Sequence, residues 1–244
     1  METPEEMKER LKELGSKEGY IDGIYNYCDR WCERCKFTSK CRNYAFGPED
    51  QNLSWEDTFK YVSNVLKATM LMIEEDAKEM GIDLSKIEDT DIKERTEPFQ
   101  DPLSKFANQT AMEIHAWFEE VNDDNGIKNY DAIKNRENLE PEYYDAFDII
   151  IWYHLFFSVK LERAIHSASD EDFEEFARDD SNGSAKVGLI ALDRSIAAWS
   201  IIMEERPEFE EKILDFLIKL SKIRKVTEER FPEARSFIRP GLDE

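Results

Sequence analysis

A chain of 244 residues and 28.8 kDa can bury a hydrophobic core without disulfide staples, and with 41% hydrophobic and 12% aromatic residues it is not a disordered chain. Its formal net charge of −22 repels nucleic-acid phosphates and anionic lipid headgroups over any face lacking a local basic patch, so neither is an expected partner. No run approaches the length of a transmembrane span, and the opening METPEEMKERLKELG has no signal-peptide core, so a cytoplasmic protein is expected.

All four cysteines, Cys28, Cys32, Cys35 and Cys41, fall in the run CDRWCERCKFTSKC. Cysteine used as core filler scatters along a chain, whereas thiols gathered locally can deprotonate around one soft metal centre. In a reducing cytoplasm they are left free, metal-bound or transiently redox-active. If the stretch is helical, Cys28, Cys32 and Cys35 project from one face at i, i+4 and i+7, and Cys41 returns through a turn around Thr38 and Ser39. Four thiolates at about 2.3 Å suit zinc, and a fully thiolate-bound zinc is structural because no position is open to water. An iron–sulfur cluster suits the same short loop. The C-x3-C-x2-C part also matches radical enzymes that bind S-adenosylmethionine, but those need an α/β barrel and this chain shows no strand pattern. Cysteines packed in a core, or a reactive dithiol pair, are the metal-free readings. Residues 1–50 are expected to form a small cysteine-cluster subdomain with Tyr25, Tyr27, Trp31, Phe37 and Phe46 packed about it.

From 51 to 244 the apolar residues recur at three and four, which predicts an all-α fold, a bundle of four to five main helices. The first runs from a Ser54 cap to Gly81, with Phe59, Val62, Leu66, Met70 and Ile73 as its core face. The second spans about 102–121 with Leu103, Phe106, Thr110, Ile114, Trp117 and Val121 on one side. The third spans about 141–167, the fourth begins near Ser184 and reaches Arg206, and Pro207 opens a fifth that runs to about Arg230. Acidic connections separate them, and DEDFEEFARD within one is expected to form a short helix of its own.

In the third helix apolar residues occur on every side, yet Asp148, His154, Ser158, Glu162 and His166 share an arc of roughly 120°. Asp193 and Arg194 lie in mid-segment of the fourth, where buried charges require partners. Arg194 on Glu162, and Asp193 on His154 or His166, would satisfy both. Such a group forms either a ligand-binding or acid/base pocket or a structural ion-pair network. His154 and His166 stand roughly 18 Å apart on a helix and cannot share an ion. The Glu-x-x-His pairs of di-iron bundles, calcium-binding loops, phosphate loops and nucleophile elbows are all missing.

The block IYNYCDRWCERCKFTSKCRNY, with LDRSIAAW and FPEARSFIRPGLDE further on, resembles a group of bacterial helical proteins sharing a CDxWCERCxFTxxC cysteine block. The resemblance spans most of the chain and implies a bacterial, cytoplasmic helical protein. The group has no established activity, so no catalytic residue carries over, and Lys36 stands where its block has proline. The function expected is a binding or interaction module with a structural zinc on the four cysteines and a protein or small-molecule partner. The alternative is an iron–sulfur redox protein, or an enzyme built on a polar pocket between helices.

Overall fold

The computed structural model describes residues 2–48, 53–86, 101–120, 141–169 and 174–243. Among them are seven α-helices and no strand, as the all-α reading requires: α1 Pro4–Ser16, α2 Arg42–Phe46, α3 Trp55–Glu79, α4 Pro102–Glu120, α5 Pro141–Ser167, α6 Glu174–Glu205 and α7 Glu210–Arg230. None of them is long and apolar enough to cross a membrane. The connections 87–100 and 121–140, with Val121, lie outside the described residues.

Local chemistry explains where the helices start. Thr3 accepts the Glu6 amide while the Glu6 carboxylate takes the Thr3 amide, a reciprocal cap with Pro4 at the first helical position, and this starts α1 in a stretch the apolar pattern leaves unassigned. Ser54 caps α3 through the Asp57 amide at 3.1 Å, and Asp101 caps α4 by accepting from Leu103 and Ser104. Pro207 enters a 3-10 turn, Pro207–Phe209, and α7 follows it directly.

The chain forms two compact units, Met1–Asn26 with Arg30–Arg95, and Tyr27–Asp29 with Thr96–Glu244. The division expected at 50/51 is therefore displaced: α3 belongs with the N-terminal segments, because its polar face is tied to α1. Lys8 and Lys12 reach Glu75 at 3.1 and 2.7 Å, and Asn64 donates to the Glu2 carbonyl at 2.9 Å. Tyr61 and Arg10 both donate to the Phe46 carbonyl at the end of α2, where unsatisfied helix carbonyls need donors. These ties turn Ala68 and Ala77 inward. The expected core stripe of Phe59, Val62, Leu66, Met70 and Ile73 consequently points outward, each residue 46–71% exposed.

In the second unit α5 lies along α6, α4 packs on α5 and α7, and α7 packs on α6. Its centre is aromatic: Trp117 meets Trp199 edge-on at 5.6 Å and Phe209 at 5.3 Å, and Trp199 meets Phe216 at 5.2 Å. Such pairs are each worth about 0.5–1.5 kcal/mol beyond the area they bury. Leu103, Thr110, Ile114 and Trp117 of α4, and Ile213, Phe216, Leu220 and Ile223 of α7, are buried as their spacing predicts. The DEDFEEFARD stretch is not a separate helix where it is described. From Glu174 it is the start of α6, which continues through Ser181-Asn-Gly-Ser184 because these small residues are buried in close contacts. A Cβ at Gly188 would come within 2.9 Å of Leu161 Cδ2.

Candidate metal centre and its anchoring

The cysteine run is not one helix, so the i, i+4, i+7 face does not form. It is instead two successive 3-10 turns, Cys32–Arg34 and Thr38–Lys40, each followed by a cysteine. Cys35 closes the first by donating its amide to the Cys32 carbonyl at 3.1 Å, and Cys41 closes the second onto the Thr38 carbonyl at 3.2 Å, the return expected there. The Phe37 amide donates to Cys35 Sγ at 3.4 Å. A backbone N–H on sulfur stabilises thiolate character and is the kind of outer contact that orients a metal ligand. Arg30, just ahead of the first turn, holds φ at +60°, a conformation L side chains adopt rarely.

The neighbours of the outermost cysteines are pinned by side-chain bonds. Arg42, next to Cys41, donates to the Leu14 and Lys17 carbonyls at 3.1 and 3.2 Å and pairs with Asp22, which fixes the end of the run to the end of α1. In the other unit Cys28 sits between two anchors. On one side Tyr27 donates its hydroxyl to Asp180 at 3.3 Å, lays its ring on Gly183 and meets Phe237 edge-on at 4.9 Å. On the other, Asp29 accepts from the Tyr153 hydroxyl at 2.5 Å and from Arg194 at 2.8 Å, and its carbonyl accepts from Trp152 Nε1 at 3.0 Å.

Asp180 is the hub of the first anchor. It is buried, and Arg163 forks onto both carboxylate oxygens at 2.6 and 3.2 Å while Ser167 donates at 2.5 Å. Burial opposes its ionisation, but the Arg163 guanidinium and the Ser167 hydroxyl outweigh that and hold its carboxyl below the ordinary value. Burial, with Asp180 beside it, pushes the Tyr27 phenol up to about 12, and burial with Asp29 beside it raises Tyr153, so both remain donors.

All four cysteines are half-buried thiols, none of them in a disulfide. Among the described residues, no three cysteine, histidine or carboxylate side chains stand together as a preassembled ligand set. The donor chemistry of four thiols fits a soft metal, and so does the N–H on Cys35.

The polar arc of α5 is divided among separate partners. Arg194 goes to Asp29 and Tyr153 in place of Glu162, and Asp193 pairs with Arg235 at 2.6 Å and Arg224 at 3.4 Å in place of a histidine. The Ser158 hydroxyl is used by the Leu155 carbonyl, while Asp148, Glu162 and His166 are half-buried. His154 donates from Nδ1 to the Ile151 carbonyl at 2.7 Å, which leaves Nε2 to accept from His115 Nδ1 at 3.3 Å, with the two rings stacked. Burial lowers the pKa of His154 and favours this neutral arrangement. Of the residues that anchor Cys28, Arg194 was singled out in the sequence with a different partner and Tyr27 only as a packing aromatic, while Asp29, Tyr153 and Asp180 were not singled out. Their one signal there is the placing of Tyr27 and Asp29 directly on either side of the first cysteine.

Comparison of the chain with protein-family models, with curated proteins and with solved structures returns no match in any of the three.

Proposed function

We propose that this chain is a metal-binding helical protein in which Cys28, Cys32, Cys35 and Cys41 together hold one structural zinc. It works in the cytoplasm, where thiols stay reduced, as a binding module for a protein or small molecule. The observation that carries the reading is the Phe37 amide on Cys35 Sγ, within a pair of turns that each deliver a cysteine. The anchors at Tyr27, Asp29 and Arg42 support it, since ligands are useful where their neighbours are held. Zinc held by these thiols would supply a structural cross-link and no redox or acid–base chemistry. Binding is coupled to ordering of the run, so chelation lowers stability.

Elemental analysis of the full chain purified without oxygen tests this. The expected result is about one zinc per chain, lost on Cys35→Ser, and a lower unfolding temperature in chelator. Iron with a brown chromophore would replace zinc by the iron–sulfur alternative, and protein containing neither metal would overturn the metal reading altogether.

A further inference from the structure

The outward stripe of α3 has the form of a helix–helix seam. Phe59, Leu66 and Ile73, with Met80 just past the helix end, recur every seven residues, with Trp55 one turn before them and Val62 and Met70 among them. Trp55 is 85% exposed, Phe59 71% and Leu66 63%. With aromatic side chains presenting about 150–250 Å² each and aliphatic ones somewhat less, the seven residues offer on the order of 800 Å² of apolar surface. That exceeds the largest patch usual on a monomer, about 300–600 Å². It matches the roughly 800 Å² that each partner contributes to a standard stable interface. Beside the stripe, Pro4, Glu5, Leu66, Lys67, Met70 and Leu71 line an open cleft of about 410 Å³ in which a facing side chain can seat.

We propose that this stripe is a homodimer interface, its occupant the α3 of a second copy of this chain in antiparallel orientation. A heptad stripe is complementary to itself under a twofold axis, as an isologous contact requires. Local charge permits the contact despite the acidity of the whole chain. Residues 54–73 carry Glu56 and Asp57 against Lys60 and Lys67, a balance of zero where the chain totals −22. Charge also selects the orientation. A parallel pair would set the 74–79 end of one copy, four acids against Lys78, beside the same end of the other, whereas an antiparallel pair sets it beside the 56–60 segment, where two acids stand against Lys60 and the repulsion is smaller. A twofold axis at Leu66 then places Val62 opposite Met70 and Phe59 opposite Ile73.

Light scattering coupled to size exclusion on the full chain, over a concentration series, tests the proposal. The expected mass is about 58 kDa, twice the 28.8 kDa of one chain, and Leu66→Glu is expected to return it to 28.8 kDa with unchanged far-UV circular dichroism. A wild-type chain that stays at the mass of one copy would overturn the proposal, whatever else covers the stripe. So would a Leu66→Glu variant that remains dimeric. The wild-type mass decides the matter even where that variant fails to fold. Since Leu66 lies away from the cysteines in sequence, retention of metal by the variant keeps this outcome separate from that of the zinc site.

Discussion

Gly183 offers a sharp test of how Cys28 is positioned. A Cβ added there would lie 2.4 Å from Tyr27 Cε1 and 2.6 Å from Cδ1, distances no real Cβ sustains, so Gly183→Ala must displace the ring. The ring is not free to swing aside, since its hydroxyl is held by Asp180 and its edge by Phe237. Overpacking of this kind costs about 1–3 kcal/mol. Against it stands the gain of alanine over glycine in a helix interior, about 0.8–1.0 kcal/mol. The net expectation is a loss of about 1 kcal/mol, or roughly 2–4 °C in unfolding temperature for a chain of this size. Made in a Tyr27→Ala background, the same substitution meets no ring and is expected to stabilise by about 1 kcal/mol, so the double-mutant cycle yields a coupling of about 2 kcal/mol. Thermal unfolding of the four proteins by circular dichroism measures it. If Gly183→Ala stabilises the wild-type and Tyr27→Ala chains equally, the ring does not lie on this glycine and the anchoring argument fails. Because Tyr27 precedes Cys28, the proposed zinc site predicts that the single variant also holds zinc less tightly.

Asp180→Asn removes the charge from a buried carboxylate whose partner, Arg163, is itself half-exposed and can be rehydrated. The cost is expected at about 2 kcal/mol, below the 3–5 kcal/mol of a fully buried broken pair. The folded-state pKa of Asp180 is depressed, so the unfolded chain holds more protons on this group. Its contribution is complete above the unfolded value of about 3.9 and is lost as the pH falls toward the folded one. Urea unfolding should therefore show the gap between wild type and Asp180→Asn narrowing below about pH 4, and a gap constant down to pH 2 would contradict the assignment. His154 is depressed as well, by burial, so its neutral form contributes stability that is complete above about pH 6.5 and fades as the pH falls through its folded-state value. An NMR titration is expected to find His154 titrating below the ordinary imidazole value of about 6.5, and a midpoint at or above that value would refute the half-buried histidine pair.

Much of the helical framework was legible in the sequence. The Ser54 cap, Pro102 and Pro141 mark helix starts, and the three–four spacing of Ile213, Phe216, Leu220 and Ile223 puts the buried face of α7 where it lies. The same spacing misled for α3. Periodicity reports that a helix has an apolar face but not what that face meets, and here polar ties to α1 rotate it outward. Helix α1 carried a legible signal too, the Thr3–Glu6 capping pair, which an apolar-pattern reading passes over. In α6 the Ser181-Asn-Gly-Ser184 run reads as a loop by composition, and only burial of the run, with Gly183 packed close on Tyr27, makes small residues there an advantage in a helix.

Sequence alone settled the composition of the candidate centre, four thiols within fourteen residues, because chain connectivity keeps such groups close whatever the fold. It also settled the helical class, since backbone hydrogen bonding and apolar spacing are local. The partners of Asp29, Asp180, Asp193 and Arg194 were decided by the tertiary structure. An ion pair between residues 165 apart, such as Asp29 with Arg194, depends on how helices are rotated against one another, and no local pattern encodes that rotation.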